Sequence, residues 1–290
     1  MTASNPRSGE PRAPLGPTAD PGTGGSTGRP TGRLRLVPPL RYRRPAPPAL
    51  VLVAHGSRDP RALTTVRALA ERVRALRPGL AVHLGHLELN APLLPETLAA
   101  LGDTPAGPVV LVPLLLGRGY HVRQDIPAMA AAAPVRARVA APLGPHPLLA
   151  RTLHDRLTEA GWPAAMDGAA RRTSAVILAA AGSRDPDSAA DTRGTARLLA
   201  DRLGVPVLPA YASAAAPTVP AALRALAARG RHRVAVASYF TAPGRFATQC
   251  ADRAPWLASA PLGAHEAMAR LVLHRYDQAH ASREPELASA

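Results

Sequence analysis

Lysine is absent from this 290-residue chain, and cysteine occurs once. All of its basic side chains other than histidine are therefore arginines, in a composition heavy in Ala, Arg and Pro that coding bias alone explains. The single cysteine, Cys250, excludes an intrachain disulfide and any cysteine-built zinc site, and it suits a reducing, cytoplasmic compartment. Aromatic residues amount to 3%. They offer no stacking platform, and with no zinc-finger or recognition-helix pattern either, nucleic acid is not an expected partner. No run approaches the ~20 apolar residues of a membrane helix, so a soluble protein without a membrane partner is expected. Acidic residues are few beside basic ones, 20 against 35, for a net +15. Eight arginines (Arg7, Arg12, Arg29, Arg33, Arg35, Arg41, Arg43, Arg44) face only Glu10 and Asp20 within residues 1–48, so that segment holds +6 and the rest +9. Phosphate-binding glycine loops and dinucleotide fingerprints are missing, so no nucleotide is expected. Ser57 and Ser183 lack the Gly-x-Ser-x-Gly frame of a nucleophile elbow, and Ala54 stands where a histidine phosphatase needs arginine before His-Gly.

What the chain does have is one pattern written twice. Val53-Ala54-His55-Gly56-Ser57-Arg58-Asp59-Pro60 returns as Ala179-Ala180-Ala181-Gly182-Ser183-Arg184-Asp185-Pro186, with six of eight residues identical. Gly119-Tyr120-His121-Val122-Arg123-Gln124 aligns with Gly244-Arg245-Phe246-Ala247-Thr248-Gln249, and Glu88-Leu89-Asn90-Ala91-Pro92 with Ser213-Ala214-Ala215-Ala216-Pro217. The offset, about 125 residues, is domain-sized and far too long for a solenoid unit. The second copy replaces His55 by Ala181, Glu88 by Ser213 and His121 by Phe246. A duplication that keeps its framework while dropping two imidazoles and a carboxylate points to one metal or acid–base centre, in the first half. Cys250, which aligns with Asp125, is read as incidental rather than reactive.

The organisation follows from the periodicity. Residues 1–48 are rich in Pro, Gly, Ser and Thr without apolar rhythm, and are expected to form a disordered, solvated basic tail with no secretory h-region. From Ala49 short apolar runs alternate with helical stretches. Strands are expected at 49–54, 80–87, 108–115 and 135–141, and helices at 60–76, 93–101, 122–132 and 147–160. Asp59 and Pro60 are a preferred N-cap and first-turn pair. The second half repeats this order, with strands at 175–180, 206–211, 233–239 and 258–261 and helices at 187–203, 218–229, 245–253 and 265–279. The expected fold is α/β: two tandem domains, each a parallel sheet flanked by helices. The boundaries are 1–48 for the tail, 49–160 for the first domain, 161–173 for a linker, 174–282 for the second domain and 283–290 for a second tail. Fusion of the two halves in one chain is expected to give a monomer.

In open parallel sheets ligands bind beyond the carboxyl ends of the strands. His55, Glu88 and His121 follow three successive strands at equal spacings of 33 residues, one βα repeat apart, so all three should stand on one rim. Two imidazoles and a carboxylate suit a divalent first-row metal and leave coordination positions open, as sites that do chemistry require. His146, in Pro-Leu-Gly-Pro-His, recurs as His265 in the copy without the triad, and so is assigned a helix-start role. His86 shares a strand face with Glu88 but is opposed by Tyr211, which favours packing.

The segments His55-Gly56-Ser57-Arg58, Leu87-Glu88-Leu89-Asn90-Ala91-Pro92, and residues 113–127 from Pro113 through Gly119-Tyr120-His121-Val122-Arg123-Gln124-Asp125-Ile126-Pro127 resemble the sirohydrochlorin chelatases, ATP-independent class II enzymes. The likeness extends over residues 49–279. It implies metal insertion into sirohydrochlorin, Fe2+ being the expected substrate metal, to give siroheme. Cobalt insertion towards cobalamin is the alternative within the class, with Ni2+ a further substrate. Two other readings stay open, a non-catalytic carrier of metal or tetrapyrrole and a metal-dependent phosphate-ester hydrolase. The resemblance places metal binding and catalysis on His55 and His121, with Glu88 as the assisting carboxylate, ligand or base. The polycarboxylate substrate calls for arginines, for which Arg58, Arg118, Arg123 and Arg184 are best placed by motif, together with Ser57 and Tyr120.

Overall fold

The computed structural model describes residues 47–103 and 107–282. The expected tails therefore lie outside the described residues, apart from Pro47 and Pro48. The first half runs β1 (Ala49–Ala54), α1 (Pro60–Leu76), β2 (Val82–His86), α2 (Leu94–Gly102), β3 (Val109–Pro113), a π-helical turn (His121–Asp125), α3 (Ile126–Ala131), β4 (Ala137–Val139) and α4 (Pro147–Glu159). A short helix, α5 (Gly168–Thr173), occupies part of the segment expected to be a linker. The second half runs β5 (Ser174–Ala180), α6 (Pro186–Leu203), β6 (Val207–Tyr211), α7 (Val219–Ala227), β7 (Arg233–Ser238), α8 (Arg245–Ala251), β8 (Leu257–Ala258) and α9 (Glu266–Ala281).

Both sheets are parallel and four-stranded, in the orders β2-β1-β3-β4 and β6-β5-β7-β8. The central strands are continuous apolar runs because helices cover both of their faces. All of Ser174–Ala180 is buried, as is Ala49–Ala54 except its first residue. The start of α1 is fixed by Asp59, whose carboxylate accepts from Arg61 N at 3.0 Å, with Pro60 in the first turn; Asp185 accepts from Asp187 N at 2.9 Å to begin α6 in the same way.

The outer face of each sheet has its own core. One gathers Val51, Val53, Leu94, Leu98, Leu111 and Ile126, and the other Ile177, Ala179, Val219, Leu226, Val236 and Cys250. The inner faces share a third core that no single half contains, in which Leu50, Leu52, Leu149 and Leu153 join Val176, Leu178, Leu271 and Val272. It forms because the closing helix of each half crosses over. The neighbours of α9 are α1, α4 and β3, and those of α4 are α6, α9 and β7. Tyr276 of α9 donates from its hydroxyl to Pro48 O at 2.7 Å, and Arg156 of α4 donates to Leu262 O at 3.1 Å. Buried Tyr239 donates to Leu116 O, and Thr241 to Leu114 O, each at 3.0 Å, so the loops after β7 and β3 are stitched together.

His146 and His265 are helix N-caps, in keeping with their recurrence: Nδ1 of each accepts from the backbone two residues on, at 3.1 Å from Leu148 N and 3.2 Å from Ala267 N. A capping imidazole must be neutral to accept there. Burial, reinforced by nearby Arg275 and His274, lowers the His146 pKa from 6.5 to about 4. Its folded pKa lies below its unfolded one, so the stability it contributes is complete above pH 6.5 and is lost as the pH falls towards 4. Thermal melting temperature should decline over that window. His146→Asn, which caps without titrating there, should flatten the decline, and parallel melting profiles for the two proteins would count against this assignment.

Candidate functional site

The strand order decides which side chains meet. In β2-β1-β3-β4 the direction of progression reverses between β1 and β3, the switch point at which loops diverge and leave a crevice. His55 follows β1, Glu88 lies just past β2 and His121 lies past β3, so His55 stands between the other two. Its Nδ1 is 3.4 Å from Glu88 Oε1, and its ring meets that of His121 edge-on, with centroids 4.8 Å apart and planes at 87°. The equal spacing in sequence thus becomes proximity on one rim.

The backbone beneath these groups is tightly built. Gly56 has φ +104, and a Cβ there would lie 1.8 Å from Glu88 O; Gly182 has φ +94, and its Cβ would lie 1.8 Å from Ser213 O. Both positions require glycine, since the first loop crosses the second at backbone contact. Glu88 N donates to His55 O at 3.0 Å, and Ser213 N to Ala181 O at 2.9 Å. Leu89 and Ala214 share a left-handed conformation at φ 67 and 56. The two halves therefore keep the same scaffold and differ in what it carries.

His121 opens the π-helical turn, in which Ile126 N donates to His121 O. The sequence predicts an α-helix from Val122; the wider turn begins one residue earlier and takes its place. Within it Asp125 Oδ2 lies 2.6 Å from His121 Nδ1. Each imidazole thus has one carboxylate at Nδ1, and among the described residues neither has a hydrogen-bond partner at Nε2. The side chains of His55, Glu88 and His121 remain 45%, 53% and 37% exposed. Among the described residues no group of three or more His, Cys, Asp or Glu side chains is placed to hold a metal ion. The arrangement is an open pair of donors with supporting carboxylates.

Both histidines line a cleft of about 2410 Å³ between the halves. Arg58 and its twin Arg184 reach it from equivalent loops, exposed and without a protein partner among the described residues, as does Tyr120, 68% exposed. Ser57 lines it too, although its Oγ accepts from Asp59 N at 3.1 Å and so also shapes the turn, as Ser183 does in the second half. Arg123 lines the cleft but pairs with Asp187, and its Nε is 3.4 Å from Asp185. Arg118 is not among the lining residues. Its Nη2 and Nε reach Asp191 at 2.7 and 3.0 Å, and its backbone N donates to the same carboxylate at 2.8 Å. The guanidinium of Arg118 is thus engaged by carboxylates of the second half.

His86 is buried, with Nδ1 3.1 Å from Pro92 O, in keeping with packing. Cys250 is buried as well, and burial raises its thiol pKa, which keeps it in the inert thiol form. The residues missed from sequence are Asp125, Asp187 and Asp191. Only Asp125 carried a signal, four residues after His121 and absent from the second copy. No helix among the described residues is long and apolar enough to cross a membrane.

A family profile described as CbiX matches this chain twice, over residues 49–160 and 175–279. Among curated relatives, the sirohydrochlorin cobaltochelatase of Methanococcus maripaludis is 39% identical over 79 residues, which is 27% of this chain and 55% of that protein. The sirohydrochlorin ferrochelatase of Bacillus subtilis is 29% identical over 175 residues, 58% of this chain and 64% of that protein. The chain thus spans a little over half the length of the first of these relatives. Among solved structures, SirB from Bacillus subtilis with Fe3+ superposes with a TM-score of 0.66 at 25% identity, covering 81% of this chain and 96% of that one. SirB from Bacillus subtilis subspecies spizizenii in complex with cobalt gives 0.63 at 22% identity over 81% and 95%, a likeness of fold.

Proposed function

This chain belongs to the CbiX family of sirohydrochlorin chelatases, and on that premise we propose that it inserts a divalent metal into sirohydrochlorin without a nucleotide. The observation that carries the reading is the edge-on pair His55 and His121 at the switch point of the first sheet, opening onto an arginine-lined cleft. Insertion requires the metal to shed water and the macrocycle to lose two pyrrole N–H protons. The Nε2 atoms of the two histidines hold the incoming cation as it loses water. Each imidazole vacated as the metal moves into the ring can then accept a proton, which balances M2+ entering against two protons leaving. Glu88, beside His55 Nδ1, offsets the positive charge that develops on that ring. Arg58 and Arg184 take the substrate carboxylates from opposite sides of the cleft. The second half binds substrate but carries out no metal chemistry, because Ala181, Ser213 and Phe246 stand at the three positions.

Fe2+ is the working choice of metal, and Co2+ the alternative. Relatives are named for both metals, and imidazole–carboxylate donors accept either, so supply decides. An anaerobic spectroscopic assay of sirohydrochlorin with Fe2+, Co2+ and Ni2+ should show protein-dependent acceleration with at least one of them. It should also give several product equivalents per chain, which a stoichiometric carrier would not. Rates equal to the metal-only control with all three would reject the chelatase reading. The chain is expected to act as a monomer in the cytoplasm.

A further inference from the structure

We propose that Asp125 is a positioning residue of this centre, holding His121 in the orientation and tautomer that leave Nε2 free for the cation; this rests on reading His55 and His121 as the metal-binding pair. A neutral imidazole has one N–H and one lone pair, and the partner of one nitrogen fixes the role of the other. Asp125 Oδ2, 2.6 Å from His121 Nδ1, accepts from an Nδ1–H and so puts the lone pair at Nε2. Glu88 lies near His55 Nδ1 at the longer distance of 3.4 Å, so each of the two edge-on imidazoles has a carboxylate beside it, and only that of His121 is at hydrogen-bond geometry.

Two further observations separate this role from a structural one. Asp125 lies inside continuous helix, at φ −66 and ψ −50 where the π-helical turn runs into α3, so its side chain has no helix start to cap and makes no capping hydrogen bond. In the second half the imidazole and the carboxylate are lost together, as Phe246 and Cys250, while Gly244 and Gln249 keep their counterparts Gly119 and Gln124. Cys250 has joined the apolar core of that half. A carboxylate serving the loop would be wanted in both halves; one serving the imidazole is wanted only where the imidazole is.

The test uses the full chain with Co2+ alone as probe, titrated anaerobically and read by its visible ligand-field absorption. Asp125→Ala should weaken Co2+ binding by about 10–100-fold, the usual cost of losing such an outer partner. It should also raise the metal KM while leaving the sirohydrochlorin KM in place. Asp125→Asn, whose side-chain oxygen can still accept from Nδ1–H, should recover binding to within a few-fold of wild type, and it remains informative if the alanine variant folds poorly. Wild-type Co2+ affinity in Asp125→Ala, alongside loss of binding in His121→Ala, would overturn the role of Asp125 and leave the metal centre standing. An asparagine variant as weak as the alanine one would also overturn positioning. Unchanged Co2+ binding in His121→Ala would instead remove the metal centre itself.

Discussion

His55→Ala and His121→Ala should each lower the turnover number for metal insertion by about 10²–10⁴-fold, the range that a lost acid–base or ligand group commonly costs. The double variant should be little worse than either single one, because residues that act as one unit are not additive once the unit is broken. Melting temperature should hardly move, since both side chains are substantially exposed and pack against no core. Placing histidines in the second half, as Ala181→His with Phe246→His, should not create a second centre. Ser213 still replaces Glu88 there, and Cys250 still replaces Asp125. Single-turnover insertion with each metal, beside circular dichroism of every variant, checks this. Near-normal turnover in His55→Ala/His121→Ala would show that the chemistry lies elsewhere in the cleft.

Much of this arrangement is legible in the order and spacing of the residues, for a specific physical reason. Parallel βα units put every strand's carboxyl end on one rim, so equal spacing of His55, Glu88 and His121 is enough to bring them to it. Strand β1 (Ala49–Ala54) and helix α1 (Pro60–Leu76) have the bounds expected of them, because an apolar run bounded by an Asp-Pro cap leaves little freedom. Three features are not legible. The exchange of α4 and α9 depends on which sheet offers each helix its apolar seat, and both sheets offer similar ones. The π-helical turn at His121–Asp125 lies in a short, mostly polar stretch with no period to read. Nor does the arginine motif show which guanidiniums face the cleft, because the carboxylates that claim Arg118 and Arg123 lie on or next to α6, in the other half. The two halves differ informatively at one further position: the change from Asp125 to Cys250 holds the same information as that from His121 to Phe246.

Arg118→Ala should destabilise the protein, where its motif position alone would predict weaker substrate binding. Asp191 is 3% exposed and is held by three donors of Arg118, two of them from the guanidinium, while Asp187 lies 3.7 Å from the same group. Breaking the pair from one side leaves a buried carboxylate with too few donors, which destabilises the fold. The Arg118 side chain is 47% exposed, so water screens the pair and can partly replace the guanidinium, which tempers the loss. The readout is a fall in melting temperature. Adding Asp191→Ala to Arg118→Ala should recover part of the loss, because the orphaned carboxylate goes with it, and a double-mutant cycle measures the coupling. Arg184→Ala provides the contrast. With no protein partner among the described residues to lose, it should leave the melting temperature alone and raise the KM for sirohydrochlorin at nearly constant kcat, the mark of lost uniform binding. The two arginines thus separate by observable, one by heat and one by substrate concentration. An Arg118→Ala protein that melts with the wild type and shows a raised KM would return Arg118 to the cleft.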